Sequence, residues 1–181
     1  MTGPKQINFE KFKNLWKTKK AVECIENKDL WSEIIGYYWK KTWKKQGKVS
    51  WRDIAHRVFS EFVRLWYADD DWYIRCITCK VKLFWSDAQA GHFLKRHIMK
   101  YTFDITNVFP QCETCNVMLD GNYIMYTIVM INMLGKDEVE RRMGDKETVD
   151  YNQVWYEEHI LEWYKFICDK KKKIWERKKK E

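Results

Sequence analysis

The sequence predicts an α+β protein, mainly α, with a small cysteine-anchored core flanked by N- and C-terminal helices. Three observations predict it. Two C-x-x-C pairs, Cys76/Cys79 and Cys112/Cys115, stand some thirty residues apart. Apolar residues recur at helical spacing on both sides of that stretch. The 181 residues include only 2 Pro and 7 Gly, so few turns are announced and long helices are expected.

Residues 1–70 read as a helical region. Phe9, Phe12, Leu15 and Trp16 form one stripe, and Leu30, Ile34, Tyr37 and Tyr38 a second. Ser50 starts a third helix as an N-cap, with Asp53 three residues on. Ile54, Val58, Phe62 and Leu65 form its apolar face, and the acidic run Asp69–Asp70–Asp71 ends it. Residues 71–135 change character. Trp72 to Arg75 and Val81 to Trp85 are β-prone, Ala88 to Phe93 reads as a strand carrying His92, and Asn107 to Phe109 leads to the second cysteine pair. Residues 112–134 read as one helix beginning at that pair. Knuckle, hairpin and ligand-bearing helix make a treble-clef zinc fold. In residues 136–181, Asp137–Met143 reads as a short amphipathic helix and 147–178 as one long helix with a basic tail.

Composition narrows the partners. A net charge of +8 suits an anionic partner, with nucleic acid leading and a merely lysine-rich soluble surface as the alternative. Aromatics reach 17%, which suits small packed cores or, at a few exposed positions, stacking on bases. From Lys170 to Glu181 eight basic residues outnumber two Glu, a solvated end or a phosphate contact. Met1 to Lys20 carries no apolar signal segment, so a reducing cytoplasm is expected, and metal binding is favoured over disulfides. The apolar run Tyr123–Leu134 is too short to span a bilayer and reads as a buried helix; no membrane partner is expected.

The two cysteine pairs supply four thiolates, which fill a tetrahedral Zn²⁺ shell and leave no open position for chemistry. Cys24 and Cys168 lie in apolar helices and read as buried thiols. His92 lies in Gly-His-Phe between the pairs, and Asn116 follows Cys115 on the first helical turn. A hairpin histidine facing a helix-start residue is the layout of the ββα-metal, or HNH, nuclease site. In that chemistry the histidine takes a proton from water, and a divalent cation stabilises the transition state. Asn107 would orient the imidazole through a backbone-anchored hydrogen bond.

The stretch Glu61 to Arg142 resembles the phage NinG (Rap) recombination proteins. The carrying segments are EFVRLWYADDDWYIRCITC, AGHFLKR, FDITNVFPQCETCN, and Gly121-Asn122 followed by Tyr126. The resemblance implies an HNH-like endonuclease acting on branched recombination intermediates, Holliday junctions and flaps, in phage or prophage biology in the cytoplasm of a bacterial host. It implies His92 as general base, Asn107 as its orienter and Asn116 as ligand of a catalytic Mg²⁺ or Mn²⁺. Two positions depart from the pattern. Gly91 stands where many HNH nucleases carry an acidic ligand, and Gln89 where the family often has Asp. Asp104, or Asp87, would then supply the missing carboxylate, with Asp104 favoured because it lies in the retained F-D-x-x-N segment. Lys95, Arg96, His97 and Lys100 would meet phosphates flanking the cut. Arg64 and Arg75 come with the resemblance, without a derived role.

Two further readings stand beside the endonuclease. One is a non-catalytic zinc-containing module binding DNA or RNA as an accessory of phage recombination; the other is a structural zinc protein with a protein partner. Symmetrical cutting of a junction needs two active sites, so a homodimer is expected on the first reading, without an interface residue to name.

Overall fold

The computed structural model describes residues 50–178 and, in the N-terminal stretch, Ile34. The chain divides into two compact units, Met1–Gly47 and Lys48–Glu181. The two stripes expected between Phe9 and Tyr38, and Cys24, lie outside the described residues, Ile34 apart. The third expected helix, α1 (Trp51–Tyr67), belongs to the second unit. Its start is the capping box read from the sequence: Ser50 Oγ accepts from the Asp53 amide, and the Asp53 carboxylate accepts from the Ser50 amide.

After α1, Asp69 Oδ1 accepts from the Asp71 and Tyr73 amides and turns the chain into β1 (Tyr73–Arg75). β1 pairs antiparallel with β2 (Lys82–Phe84). A short 3-10 turn, Trp85–Asp87, leads to β3 (Gln89–His92), which pairs antiparallel with β4 (Val108–Gln111). Between β3 and β4 lies the one-turn helix α2 (Met99–Thr102).

The helix expected over 112–134 is broken. Thr114–Met118 forms a π-helical turn, with the Leu119 amide reaching back to the Thr114 carbonyl and Gly121 to Asn116. Asp120, Gly121 and Asn122 then take positive φ angles of 45°, 88° and 49°, and α3 (Tyr123–Leu134) begins afresh. α4 (Lys136–Gly144) follows. The last helix, α5 (Gln153–Lys178), starts six residues later than the sequence pattern suggests. In the preceding segment Asp145 and Glu147 are drawn to Lys100 instead.

Two packing regions position the site. α1 and α5 meet through Phe59, Phe62 and Trp66 against Trp163 and Phe166. Phe93, Leu94, Tyr101, Phe109, Tyr126, Met130 and Val139 form a second cluster around β3, β4, α3 and α4. α3 is not the buried helix expected. It buries Tyr126 and Met130 but exposes Ile124 (78%) and Ile128 (47%), because only one of its faces meets that cluster. Cys168 is likewise exposed on α5 rather than buried. No helix among the described residues is long and apolar enough to cross a membrane.

Candidate metal centre and the histidine beside it

Cys76, Cys79, Cys112 and Cys115 converge. Their four sulfurs lie within 4.8 Å of one another, and Cys79 Sγ and Cys112 Sγ are 3.7 Å apart. Bonds of about 2.3 Å to a tetrahedral ion would place sulfurs roughly 3.8 Å apart. The donor set and its spacing can therefore hold a metal ion such as Zn²⁺. The first pair sits on a tight knuckle. The Cys76 amide donates to Val81 O, the Lys80 amide donates to Cys76 O, and Lys80 turns at φ 66°. Arg75 Nη1 donates to Lys80 O across the same turn, which gives that residue a structural task. The second pair opens the π-helical turn, where the Cys115 amide donates to Cys112 Sγ at 3.4 Å.

Polar groups around the sulfurs are specific. Burial pushes all four thiols up. Burial is the largest single influence, but at Cys76 the Thr78 side chain and the Cys112, Cys79 and Thr78 backbone together outweigh it, as do Thr78, Asn122, Cys79 and Cys112 at Cys115, so these two ionise more readily than an ordinary thiol. Cys79 and Cys112 stay above the ordinary range. The left-handed break after the π turn is what lets Asn122 Nδ2 reach Cys115 Sγ at 3.4 Å. Gly121–Asn122, one of the segments that carry the resemblance, thus completes the surroundings of the sulfurs.

From this centre a buried bridge leads to His92. Thr78 Oγ1 contacts Cys76 Sγ at 3.2 Å and accepts from Gln111 Nε2 at 3.3 Å. Gln111, fully buried, also donates to Gly121 O at 2.8 Å. Its Oε1 has no hydrogen-bond partner among the described residues. That oxygen lies where a side chain at position 91 would start: a Cβ on Gly91 would stand 2.0 Å from it. Gly91 is therefore required by packing, and a carboxylate there has no room. The Gly91 carbonyl accepts from the buried Tyr126 hydroxyl at 2.9 Å.

His92, half-buried, ends β3. Its Nε2 is 3.0 Å from the Thr102 carbonyl, so a neutral ring donates there and leaves Nδ1 with its lone pair. Burial and then the Arg96 guanidinium push the imidazole down to about 4, while the Thr102 and Ala90 carbonyls work the other way. His92 is neutral at pH 7. Asn107 does not bond the ring. Fully buried, it accepts from the Leu94 amide (2.9 Å) and donates to Leu94 O (3.1 Å) and Tyr101 O (2.9 Å). It clamps the two ends of the 93–107 excursion, and its own carbonyl accepts from the Phe93 amide. Thr102 Oγ1 closes that excursion by donating to Arg96 O and Ile98 O.

The other expected site residues fall in different places. Asn116 Nδ2 donates to Gln89 Oε1 at 2.6 Å, so two neutral amides face each other across the π turn and β3. Asp104 is engaged elsewhere. Oδ1 accepts from the Thr106 amide and hydroxyl, and Oδ2 pairs with Arg142 at 3.2 Å. Asp87 is exposed and accepts from Ser86 Oγ. Lys95, Arg96 and His97 are exposed on the loop after His92. Lys95 lies 3.3 Å from Asp120, a weak pair in solvent. Lys100 is held by Asp145 at 2.9 Å and by Glu147, so its charge is already answered within the fold.

Two residues gain roles that their sequence positions did not announce. Arg64 on α1 donates from Nε to Ser60 O and from Nη1 to Ser86 O and Ala88 O, fastening the turn before β3 to α1. His56, also on α1, lies against Phe103 with ring centroids 4.8 Å apart. Burial, then the charges of Arg96, His92 and Arg52, push it down to about 4. A histidine inside an amphipathic stripe gives no local signal of a distant neighbour, so sequence reasoning passed it over.

A family model described as "Bacteriophage Lambda NinG protein" matches residues 6–176. The chain is similar to "Protein ninG" of Escherichia phage 933W and to "Protein ninG" of Enterobacteria phage VT2-Sa. Each is 29% identical over 91 residues, covering 50% of this chain and 43% of the relative. The matched stretch thus spans less than half the length of those relatives. No solved structure matches. With almost its whole length matched, the chain belongs to the bacteriophage lambda NinG protein family.

Proposed function

We propose that this chain is a structure-specific DNA endonuclease of the HNH type, hydrolysing phosphodiesters in branched recombination intermediates such as Holliday junctions and flaps. The observation that carries the reading is His92: a neutral imidazole, held through Nε2 by the Thr102 carbonyl, with Nδ1 left to accept a proton. Nδ1 takes a proton from water. The water oxygen bonds to phosphorus, the bond from phosphorus to the leaving sugar oxygen breaks with its electron pair going to that oxygen, and the oxygen takes a proton from solvent. Arg96 and Lys95, exposed beside His92, bind the flanking phosphates. Zn²⁺ on the four cysteines is structural on this reading, since a four-thiolate shell has no open position. It fixes the π turn and the knuckle in a treble-clef arrangement around β3 and β4.

The catalytic Mg²⁺ or Mn²⁺ expected from the resemblance is a different matter. Gln89 and Asn116 offer neutral amide oxygens, and Asp104 is already paired with Arg142. Amide carbonyls and waters can complete the shell of a hard divalent cation, but protein sites for Mg²⁺ are anchored by one or two carboxylates. This donor set, with no unpaired carboxylate, does not fit such an ion. The amide pair favours a second reading, a zinc-containing accessory that binds branched nucleic acid without cutting it.

One experiment tests both. The purified chain and His92→Ala are incubated with four-way junction, flap and linear duplex DNA, in Mg²⁺, in Mn²⁺ and in chelator. Cutting that disappears in His92→Ala supports the endonuclease. Binding without cutting under every condition moves the conclusion to the accessory. No binding of any DNA at low salt sinks both.

A further inference from the structure

We infer that the exposed apolar face formed by the π turn and α3 is the contact surface between two copies of this chain. α3 reads YIMYTIVMINML and carries no charged residue, in a protein that is one-third charged. One of its faces is spent on the cluster around Tyr126 and Met130. The other is open: Ile124 is 78% exposed, Ile128 47% and Ile131 36%. Their spacing of four and then three places them on one stripe. Just before the break that precedes α3, Met118 is 71% and Leu119 54% exposed.

The chemistry of the face selects its occupant. Nucleic acid is excluded, because the stripe offers no cation to phosphate. A charged protein surface would strand its charges against isoleucine. A surface equally free of charge fits, and the chain itself provides one. In a twofold contact the uncharged α3 stripe meets itself, and the flanking Asp120 is already answered by Lys95 at 3.3 Å. Within α3 the Thr127 hydroxyl donates to the Tyr123 carbonyl of its own helix and loses no partner on burial, and the exposed Asn132, four residues after Ile128, is the other polar side chain beside the stripe. Size agrees as well. A standard interface buries about 800 Å² per partner, and homodimer interfaces are about 65% apolar. That requires roughly 500 Å² of apolar surface per copy, the upper range of the largest patch on an ordinary monomer. Met118, Leu119, Ile124, Ile128 and Ile131 are exposed apolar side chains available to it.

The contact has a geometric corollary. The π turn that carries Met118 also carries Cys115 and Asn116. Pairing through this face brings the two metal centres towards the twofold axis, with the Lys95–Asp120 pair, at 3.3 Å, beside it.

The test is the mass of the full chain in solution, by light scattering and sedimentation across low to high micromolar concentration. The expected result is a dimer that dissociates on dilution, with a dissociation constant raised at least tenfold in Ile124→Glu/Ile128→Glu. Circular dichroism and metal content report whether the variant is folded. Should the double variant not fold, Met118→Glu, at the most exposed position of the π turn, decides the question by the same shift. A wild-type chain that stays monomeric throughout overturns the inference, as does a folded variant that dimerises as tightly as wild type. Monomers that co-sediment with anionic phospholipid vesicles would also overturn it, by assigning the face to a membrane surface. None of these outcomes depends on DNA cutting.

Discussion

Gln111 fills the space that a side chain on Gly91 would occupy. The two residues lie on paired antiparallel strands, and the Gln111 amide oxygen stands 2.0 Å from where a Cβ on Gly91 would be. The same glutamine reaches Thr78, which touches a cysteine sulfur, and Gly121 in the break before α3. The residue beneath His92 is thus held by the surroundings of the metal centre. Gly91→Ala should destabilise the fold by about 1–3 kcal/mol through overpacking. In a Gln111→Ala background the same change should cost much less, and a double-mutant cycle on thermal melts reads the difference. Equal costs in both backgrounds would show that the clash is relieved elsewhere.

Metal should be integral to folding. One Zn²⁺ per chain is expected by elemental analysis, and strong chelation should abolish the cooperative melt. Cys112→Ser should do the same, since loss of one thiolate opens the shell. An unchanged melt in chelator would argue against a structural ion.

Acid should destabilise the protein through two histidines. His92 and His56 both sit at about 4 in the fold, against an ordinary 6.5. The unfolded chain therefore binds more protons between those values, and stability falls as pH falls from 6.5 towards 4. Each unit of separation corresponds to about 1.4 kcal/mol before solvent screening. A loss on the order of 1–3 kcal/mol is expected, measured as midpoint temperature against pH. If His92 is the general base, the acid limb of the rate should lie near 4 as well. A melting temperature flat across that window would contradict the buried, neutral state of both rings.

Gln89→Asp should create affinity for divalent cations. The carboxylate would replace the amide now facing Asn116. Calorimetry with Mn²⁺ should detect binding that is at least tenfold tighter than in wild type. If wild type cuts DNA only weakly, the same variant should raise metal-dependent cutting.

The basic residues after His92 should not be equivalent. Lys95→Ala and Arg96→Ala should each weaken DNA binding and lower the salt slope by about 1. Lys100→Ala should leave that slope unchanged, because Asp145 and Glu147 already answer its charge. It should cost stability instead. Binding titrations across salt concentrations separate the two effects.

What could be read ahead of the structure was local chemistry. The Ser50–Asp53 capping box, the cysteine knuckle and the strands around His92 are set by neighbours a few residues away, so their signatures are complete in sequence. The features that escaped are tertiary. Nothing near Gly91 announces that Gln111 will reach it. The apolar run of α3 looks like a core helix, because composition does not say how much core there is to meet it. The late start of α5 follows from Asp145 and Glu147 pairing with Lys100, a contact spanning more than forty residues. Asp104 looked free to bind metal until Arg142, on a helix of its own, was seen to hold it.

Phe103 adjoins Thr102, whose carbonyl holds the His92 ring. The Phe103 side chain is packed by Phe59 and His56 of α1 and by Trp155 and Trp163 of α5. The imidazole is thus indexed against both outer helices as well as against the cysteine centre. A fragment trimmed to 71–135 would keep the four clustered cysteine sulfurs and the imidazole itself, yet lose the vice that sets the ring. A piece of this chain made for work on His92 has to keep α1 and α5 together with the cysteine centre.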